Sequence, residues 1–152
     1  MIAFCQHAAA PVKKITAALN EYAAPLFDLA TRLYISKVFF SSGLTRFHDW
    51  QTGNFSTQIF LFTEEHPVPI LPPAAAAYIT TAGELILPVL VAFGLMGRLG
   101  ALGMLAMAAV IELTYLHATE HIFWMFLAAS IIVRGPGKLS LDHLLMKRYD
   151  KA

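Results

Sequence analysis

Three ionisable side chains interrupt long apolar stretches of the sequence: Lys37, Glu84 and Glu112. A charge at membrane depth is costly, so it usually faces the interior of a helix bundle and finds a partner there. Counted at about 1.5 Å per residue from the ends of their segments, Lys37 and Glu84 both lie near the middle of a hydrocarbon core about 30 Å thick. We therefore expect Lys37 and Glu84 to meet, and the three residues to form a polar intramembrane centre that opens to the outer face.

The chemistry of this centre has two interpretations. A buried Lys37–Glu84 pair would fix the register of two helices and do nothing else. Alternatively, the polar centre binds a head group or carries protons. A second pair, Asp28 and Arg32, is spaced four residues apart, which places both side chains on one helical turn. We expect these two to pair with each other near the membrane surface, with their charged ends reaching water.

A cluster of polar residues is predicted at the outer face: Arg46, His48, His117 and His121. His117 and His121 have the i, i+4 spacing with which a helix presents two ligands to one metal ion. They fall at a predicted turn, however, and histidines at a membrane interface more often contact lipid head groups. We therefore expect no bound metal, a prediction that elemental analysis of the purified protein can test.

The composition points to a membrane protein. Of 152 residues, 57% are hydrophobic and 14% are charged, whereas a soluble domain has about 45–50% apolar and about 25% charged residues. The net charge is only +1, which argues against a nucleic-acid-binding domain. A single cysteine, Cys5, excludes an intramolecular disulfide, a CxxC redox pair and a multi-cysteine zinc site.

Four apolar segments approach the length of about 20 residues that a membrane-spanning helix needs. They predict an all-α fold, an integral membrane four-helix bundle. We divide the chain into an amphipathic segment (1–24), the four-helix domain (25–142) and a basic tail (143–152). The four segments are residues 26–44, 73–96, 99–116 and 122–133, and the last reaches spanning length only by including residues 118–121.

Two segments outside the spans have helical patterns. In the first 24 residues, Ile15, Leu19 and Tyr22 recur at helical spacing, which predicts a short amphipathic helix on the membrane surface. In the long outer loop, Asn54 begins a predicted helix that runs to about Phe62 and covers the bundle or lies on the bilayer. The basic residues flank the spans mainly on one side, and this bias places both termini in the cytoplasm.

Several motifs resemble those of the DoxX family. Residues 42–47, Ser-Gly-Leu-Thr-Arg-Phe, are similar to a family signature at the end of the first span. Residues 135–142, Gly-Pro-Gly-Lys-Leu-Ser-Leu-Asp, are similar to the family's ending. Four positions match the family motifs: Arg46, Glu84, Arg98 and Asp142.

The resemblance implies a small four-helix protein of the bacterial inner membrane that works beside a catalytic partner in a quinone or thiol-oxidation system. We therefore expect a non-catalytic or quinone-contacting subunit rather than an enzyme acting alone, and the sequence identifies no catalytic residue. A quinone is the candidate cofactor. The expected partners are the lipid bilayer and either another protein of a redox complex or a second copy of the chain. The alternatives are a small proton-coupled transporter that uses Glu84, or a structural or assembly protein.

Overall fold

A computed structural model describes residues 11–65, 67–68, 70–114 and 118–149, and within these ranges the chain forms helices and no strands. The expectation of an all-helical fold is therefore confirmed for the described residues. The helices are α1 (residues 11–18), α2 (Ala24–Gln51), α3 (Phe55–Glu64), α4 (Pro73–Phe93), α5 (Gly97–Thr114), α6 (Thr119–Arg134) and α7 (Leu141–Tyr149).

The amphipathic segment continues directly into the first long helix. A π-helical turn, Leu19–Ala23, joins α1 to α2 without a break in helical structure. Pro25 lies just after this turn, and because proline has no N–H it cannot donate a hydrogen bond back to the turn before it. The apolar side chains of Ile15, Leu19 and Tyr22 are all exposed. The described part of the predicted surface helix is thus helical, and its place on a membrane surface stays a prediction.

The predicted segments correspond to α2, α4, α5 and α6, which pack against one another in a closed order. Helix α2 packs on α4, α4 on α5, α5 on α6, and α6 on α2. The central core combines Ile35 and Phe39 of α2 with Val91, Met104 and Ile131 of the other three helices. Helix α3 packs over α4 and α2 through Phe55 and Phe62. The helix predicted in the long loop is therefore present, although Asn54 makes no side-chain cap to it.

Two helices in the described part of the chain, α4 and α5, are long and apolar enough to cross a membrane. Helix α6 has 16 residues, fewer than a typical span, and it begins at Thr119, as the borrowing of residues 118–121 predicts. Helix α2 has 28 residues, but every stretch of 18 within it contains at least three charged side chains.

The C-terminal end of α4 lies beside Arg32 of α2 and is called here the Arg32 end. Backbone contacts fix the chain at this end. Helix α4 stops at Gly94, whose left-handed φ of 66° suits glycine and whose N–H bonds back to Val91. A Cβ atom there would lie 2.5 Å from the Arg32 guanidinium. Both oxygens of Asp142 accept hydrogen bonds from the backbone N–H groups of Met96 and Gly97, at 2.9 and 3.0 Å. The loop before α7 is thereby tied to the start of α5.

The predicted pairing of Asp28 with Arg32 is wrong. Arg32 is 1% exposed and donates to the carbonyls of Ala92 at 3.0 Å and Leu139 at 2.5 Å. Asp28 instead forms an ion pair with Arg134 at 3.1 Å. The i, i+4 spacing placed the two on one helical turn, but Arg32 instead donates to carbonyls at the end of α4 and in the loop before α7.

Candidate functional site

The site is built where α2 crosses α4. At the crossing point Gly43 is buried against the backbone of Glu84, so closely that a Cβ on Gly43 would lie 2.9 Å from the carbonyl carbon and Cβ of Glu84. Small residues permit this approach between membrane helices, which gain little from hydrophobic attraction to each other. The neighbours of Gly43 on the same face of α2 are therefore brought to the Glu84 side chain.

Glu84 is a buried carboxylate with two partners on α2. Its side chain lies near the middle of α4 and the residue is 2% exposed. Arg46 donates from Nε to Oε2 at 2.9 Å, and Ser42 donates from Oγ to Oε1 at 3.2 Å. A buried charge needs such pairing because desolvation makes an isolated one very costly. Ser42 and Arg46 are four residues apart, which puts both on the face of α2 that meets Glu84.

The network extends from Arg46 into α3. Its Nη1 donates to Oε1 of Gln58 at 2.6 Å, and Nε2 of Gln58 donates to Oδ2 of Asp49 at 2.6 Å. The guanidinium also lies over the ring of Phe62, 5.4 Å from its centroid, in the range of a cation–π contact. Helix α3 thus holds the arginine from the side opposite Glu84. The chain Glu84–Arg46–Gln58–Asp49 fixes the position of each polar group.

An apolar pocket opens beside Arg46. It has a volume of about 280 Å³, close to the lower end of the range for small-molecule sites. Arg46 and Thr80 are its polar lining residues, and the other walls are apolar side chains of α3, α4, α5 and the loop before α4: Phe62, Val68, Leu71, Ala76, Ile79, Ala106, Met107, Val110 and Ile111. The pocket suits a mostly apolar molecule with an acceptor group placed near the guanidinium.

The predicted pairing of Lys37 with Glu84 is wrong. Lys37 is exposed and lines a shallow groove with Pro88 and Phe93, near the Arg32 end of α4. It precedes Gly43 by six residues, so it lies about 9 Å from the crossing point along α2. The depth estimate failed because it counted from Leu26, whereas α2 reaches the level of the α4 terminus only at Arg32. The partner of Glu84 is Arg46.

Arg46, His48 and His121, the described members of the predicted outer-face cluster, do not form one group. Arg46 belongs to the Glu84 network, and His48 is exposed. Glu112 lies apart from Glu84 and accepts from Nδ1 of His121 at 3.2 Å and from the N–H of Ala118 at 3.3 Å. This contact joins the end of α5 to the start of α6. His117 lies outside the described residues.

No group of three histidine, cysteine or acidic side chains with the geometry of a metal site occurs among the described residues. The metal prediction rested on His117 and His121 together. Because His117 is not described, the absence of bound metal at that pair stays a prediction.

Two members of the network, Gln58 and Asp49, were not predicted from sequence. Asp49 continues the spacing of Ser42 and Arg46 on one face of α2, and this i, i+4, i+7 series was the available signal. Gln58 carried no such signal, because its place depends on how the loop before α3 folds the helix back over α2.

The remaining motif positions lie at the Arg32 end. Asp142 caps the start of α5, as described above. Arg98 is exposed and lies against the loop, since a Cβ on Gly135 would be 3.3 Å from its Nη2. The four motif positions therefore form two separate sets, Arg46 with Glu84 and Arg98 with Asp142, at different levels of the helices.

The fold and the buried network define the chain as an all-helical protein in which a charged pair joins two largely apolar helices. The family model for DoxX matches residues 27–117, more than half of the chain. The chain belongs to the DoxX family and is a DoxX-like membrane protein. The matched residues include Arg46, Glu84 and Arg98, whereas the ending at residues 135–142 lies beyond them. No curated protein and no solved structure matches this chain.

Proposed function

We propose that this protein is a four-span inner-membrane subunit of a redox system and that it binds the head group of a quinone in the pocket beside Arg46. The pocket carries the proposal, because its walls are apolar and a fixed guanidinium lies at its edge. A quinone has the complementary chemistry: an apolar ring and tail with carbonyl oxygens that accept hydrogen bonds. Electron transfer itself would belong to a catalytic partner.

The surface of the helices supports a membrane position for α2, α4, α5 and α6. Large apolar side chains are exposed along all four, which in water would form an extensive apolar surface. Arg32 and Arg46, two of the charges on α2, have partners inside the protein, so they do not place unpaired charge in lipid. The exposed apolar residues include Leu33, Tyr34, Leu44, Ile79, Ile86, Val89, Leu102, Leu113, Phe123, Phe126 and Val133.

Basic residues favour an orientation with the Arg32 end in the cytoplasm. Lys13 and Lys14 precede α2, Arg98 lies at the start of α5, and Arg134 ends α6. Cytoplasmic ends of spans carry an excess of lysine and arginine. In this orientation the Arg46 pocket lies toward the outer half of the membrane.

Reporter fusions test the topology. A fusion at Lys151 or directly after Gly97 is expected to be active as a cytoplasmic reporter, and a fusion within residues 52–63 as an external one. The reason is the charge bias, combined with an even number of spans. An external C-terminus would contradict the four-span topology and the assignment of the Arg32 end to the cytoplasm.

The hydrogen-bond donors of Arg46 support the choice of ligand. A guanidinium has five N–H donors, and those on Nε and Nη1 already hold Glu84 and Gln58. The two hydrogens on Nη2 make no hydrogen bond within the described part of the chain and remain for an oxygen of the ligand. Glu84 offsets the charge of Arg46, which suits a neutral quinone better than a second carboxylate.

The transporter alternative rests on the buried position of Glu84 near the middle of α4. A proton carrier must exchange protons with each side of the membrane in turn, so Glu84 would have to leave Arg46 and Ser42 during each cycle. Each oxygen of Glu84 accepts a hydrogen bond from α2, which favours a fixed centre. Proton uptake by vesicles that depends on Glu84 would instead support transport.

A binding experiment with decyl-ubiquinone tests the quinone proposal. The full-length protein in detergent is expected to bind this probe saturably. Arg46→Gln removes the guanidinium, and Ala106→Trp fills the pocket from α5 while every residue of the polar network is kept. Each substitution is expected to weaken binding by roughly tenfold or more, as for loss of a charge-assisted hydrogen bond of about 1.5–3 kcal/mol.

Leu102→Trp is the matched control, because Leu102 is exposed on the same helix and does not line the pocket. It is expected to change the dissociation constant by less than about twofold, since a residue outside the pocket loses no contact with the ligand. Equal weakening by Leu102→Trp and Ala106→Trp, or no saturable binding at all, would refute the quinone site. A menaquinone analogue in place of decyl-ubiquinone shows which quinone type is preferred.

A further inference from the structure

A groove lies at the Arg32 end of the helices, at the other end of α4 from the pocket beside Arg46. Its volume is about 640 Å³. Three separate parts of the chain form its walls: the start of α2 with Pro25 and Asp28, the α4–α5 turn with Met96 and Arg98, and residues 134–146. The groove therefore lies where both ends of the described chain meet the packed helices.

The two carboxylates that line the groove, those of Asp28 and Asp142, already have partners within the protein. Asp28 forms an ion pair with Arg134 at 3.1 Å. Asp142 accepts two backbone N–H groups at the start of α5, where the positive end of the helix dipole also stabilises its charge. Asp28 is thus paired with a cation, and both oxygens of Asp142 are held by backbone donors.

Two basic side chains in the groove remain without such a partner. Arg98 and Lys138 both line it and both are exposed, and neither forms a hydrogen bond or an ion pair within the described residues. The Arg98 guanidinium lies against the backbone at Gly135. A buried Gly97 packs on Pro136, so closely that a Cβ on it would lie 2.9 Å from the proline ring. This packing fixes the turn that carries Arg98 relative to the loop that carries Lys138.

Exposed apolar side chains also line the groove. Leu99, Leu145 and Met146 line it and are 58%, 52% and 68% exposed. Helix α7, which lines the groove with Leu145 and Met146, combines exposed apolar side chains with lysine and arginine, a pattern typical of helices at a membrane interface. A molecule that fills this groove would meet both the two cations and exposed apolar side chains.

We propose that this groove binds an acidic phospholipid, with its phosphate between Arg98 and Lys138 and its acyl chains along Leu99 and α7. Basic pockets between membrane helices at the cytoplasmic side are suited to anionic lipid head groups. A bound lipid would link α7 and the loop before it to α2 and α5. This site is independent of the quinone proposal, and its test does not involve a quinone.

Titration with a short-chain lipid tests this site. The full-length protein in a non-ionic detergent is titrated with dioctanoyl phosphatidylglycerol, and binding is followed by the shift in the thermal unfolding midpoint. Each lost basic contact is expected to weaken binding about fivefold, from about 1 kcal/mol per residue. The double variant Arg98→Gln/Lys138→Gln should therefore need a roughly 25-fold higher lipid concentration. If that variant has no cooperative transition, Lys138→Gln alone should show about a fivefold effect.

The matched control is Lys147→Gln/Arg148→Gln, which removes the same charge from α7 outside the groove. It should change the required lipid concentration by less than about twofold, because neither side chain lines the groove. Equal loss in both double variants would overturn the proposal in favour of diffuse attraction. An equal response to dioctanoyl phosphatidylcholine would overturn it because the phosphate charge would not matter. An equal response to inorganic phosphate would show an anion site that does not recognise lipid, and would also overturn it.

Discussion

Glu84→Ala is expected to lower the free energy of unfolding by about 3–5 kcal/mol, the usual cost of removing one member of a buried ion pair. Arg46 would lose its 2.9 Å contact with Oε2 and keep only its bond to Gln58 as a polar partner at that level. Desolvation of the unpaired guanidinium then acts against the folded state. Unfolding by sodium dodecyl sulfate from mild detergent micelles, followed by circular dichroism, measures the change.

A double substitution tests whether the loss of stability comes from leaving one buried charge without its partner. Arg46→Met with Glu84→Gln removes both charges and is expected to recover much of the loss, because hydrophobic replacement of a buried pair is often neutral or stabilising. Lys37→Met is the control, since Lys37 is exposed and away from Glu84. It should leave the unfolding midpoint unchanged. A loss of stability in Lys37→Met as large as that in Glu84→Ala would instead support the pairing first expected from sequence.

Decyl-ubiquinone binding, measured on the same variants, gives a second result beside their stability. A double variant that is stable but no longer binds decyl-ubiquinone would assign the pair to the ligand site. A double variant that is stable and still binds the probe would leave the pair with a structural role only, the alternative that the sequence had left open.

The positions of the helices could be predicted from sequence because they depend on the pattern of apolar residues and on the proline and glycine residues at helix ends. Pro73 and Gly94 bound α4, and the α6 helix begins within the borrowed residues 118–121, as the length argument required. Gly43 packs against the backbone of Glu84, and a small residue is the signal in sequence for such a close approach between two helices. These features depend on residues close together in sequence, so they can be recognised from the sequence alone.

The pairing of charges was less accessible because it depends on depth and rotation together. Counting residues placed Lys37 level with Glu84, and it ignored that α2 extends past the end of α4 by two turns. An error of about 9 Å in depth along α2 made Lys37 the predicted partner of Glu84 in place of Arg46. Arg46, already singled out as a motif position, was the better partner because it follows Gly43 by three residues on the same face.

Arg32 illustrates a different limit. Its acceptors are the backbone carbonyls of Val91, Ala92 and Leu139, and carbonyls have no residue type by which a sequence could reveal them. Helix ends leave such carbonyls unpaired. Only the fold of the loop before α7, which brings Leu139 back to the end of α4, shows that a buried arginine can satisfy them.

Arg32→Met is expected to lower the free energy of unfolding by about 3–4 kcal/mol, because each hydrogen bond from a charged donor contributes about 1.5–3 kcal/mol and such contributions are not fully additive. Arg32→Lys keeps the charge but not the fork of donors, so it should recover only part of the loss. Arg134→Met is the matched control at the same end of the helices. Its pair with Asp28 is 53% exposed on the arginine side, and exposed pairs contribute about 0–1 kcal/mol.

The same variant should loosen the loop before α7 ahead of the helices, because Leu139 would lose its contact with the core. Limited trypsin digestion in detergent is then expected to cut after Lys138 faster in Arg32→Met than in the wild type, while Arg134→Met leaves that rate unchanged. Comparable unfolding free energies for Arg32→Met and Arg134→Met would contradict the role of the buried arginine. Unchanged cleavage after Lys138 would show that Asp142, through its two backbone contacts, holds the loop without it.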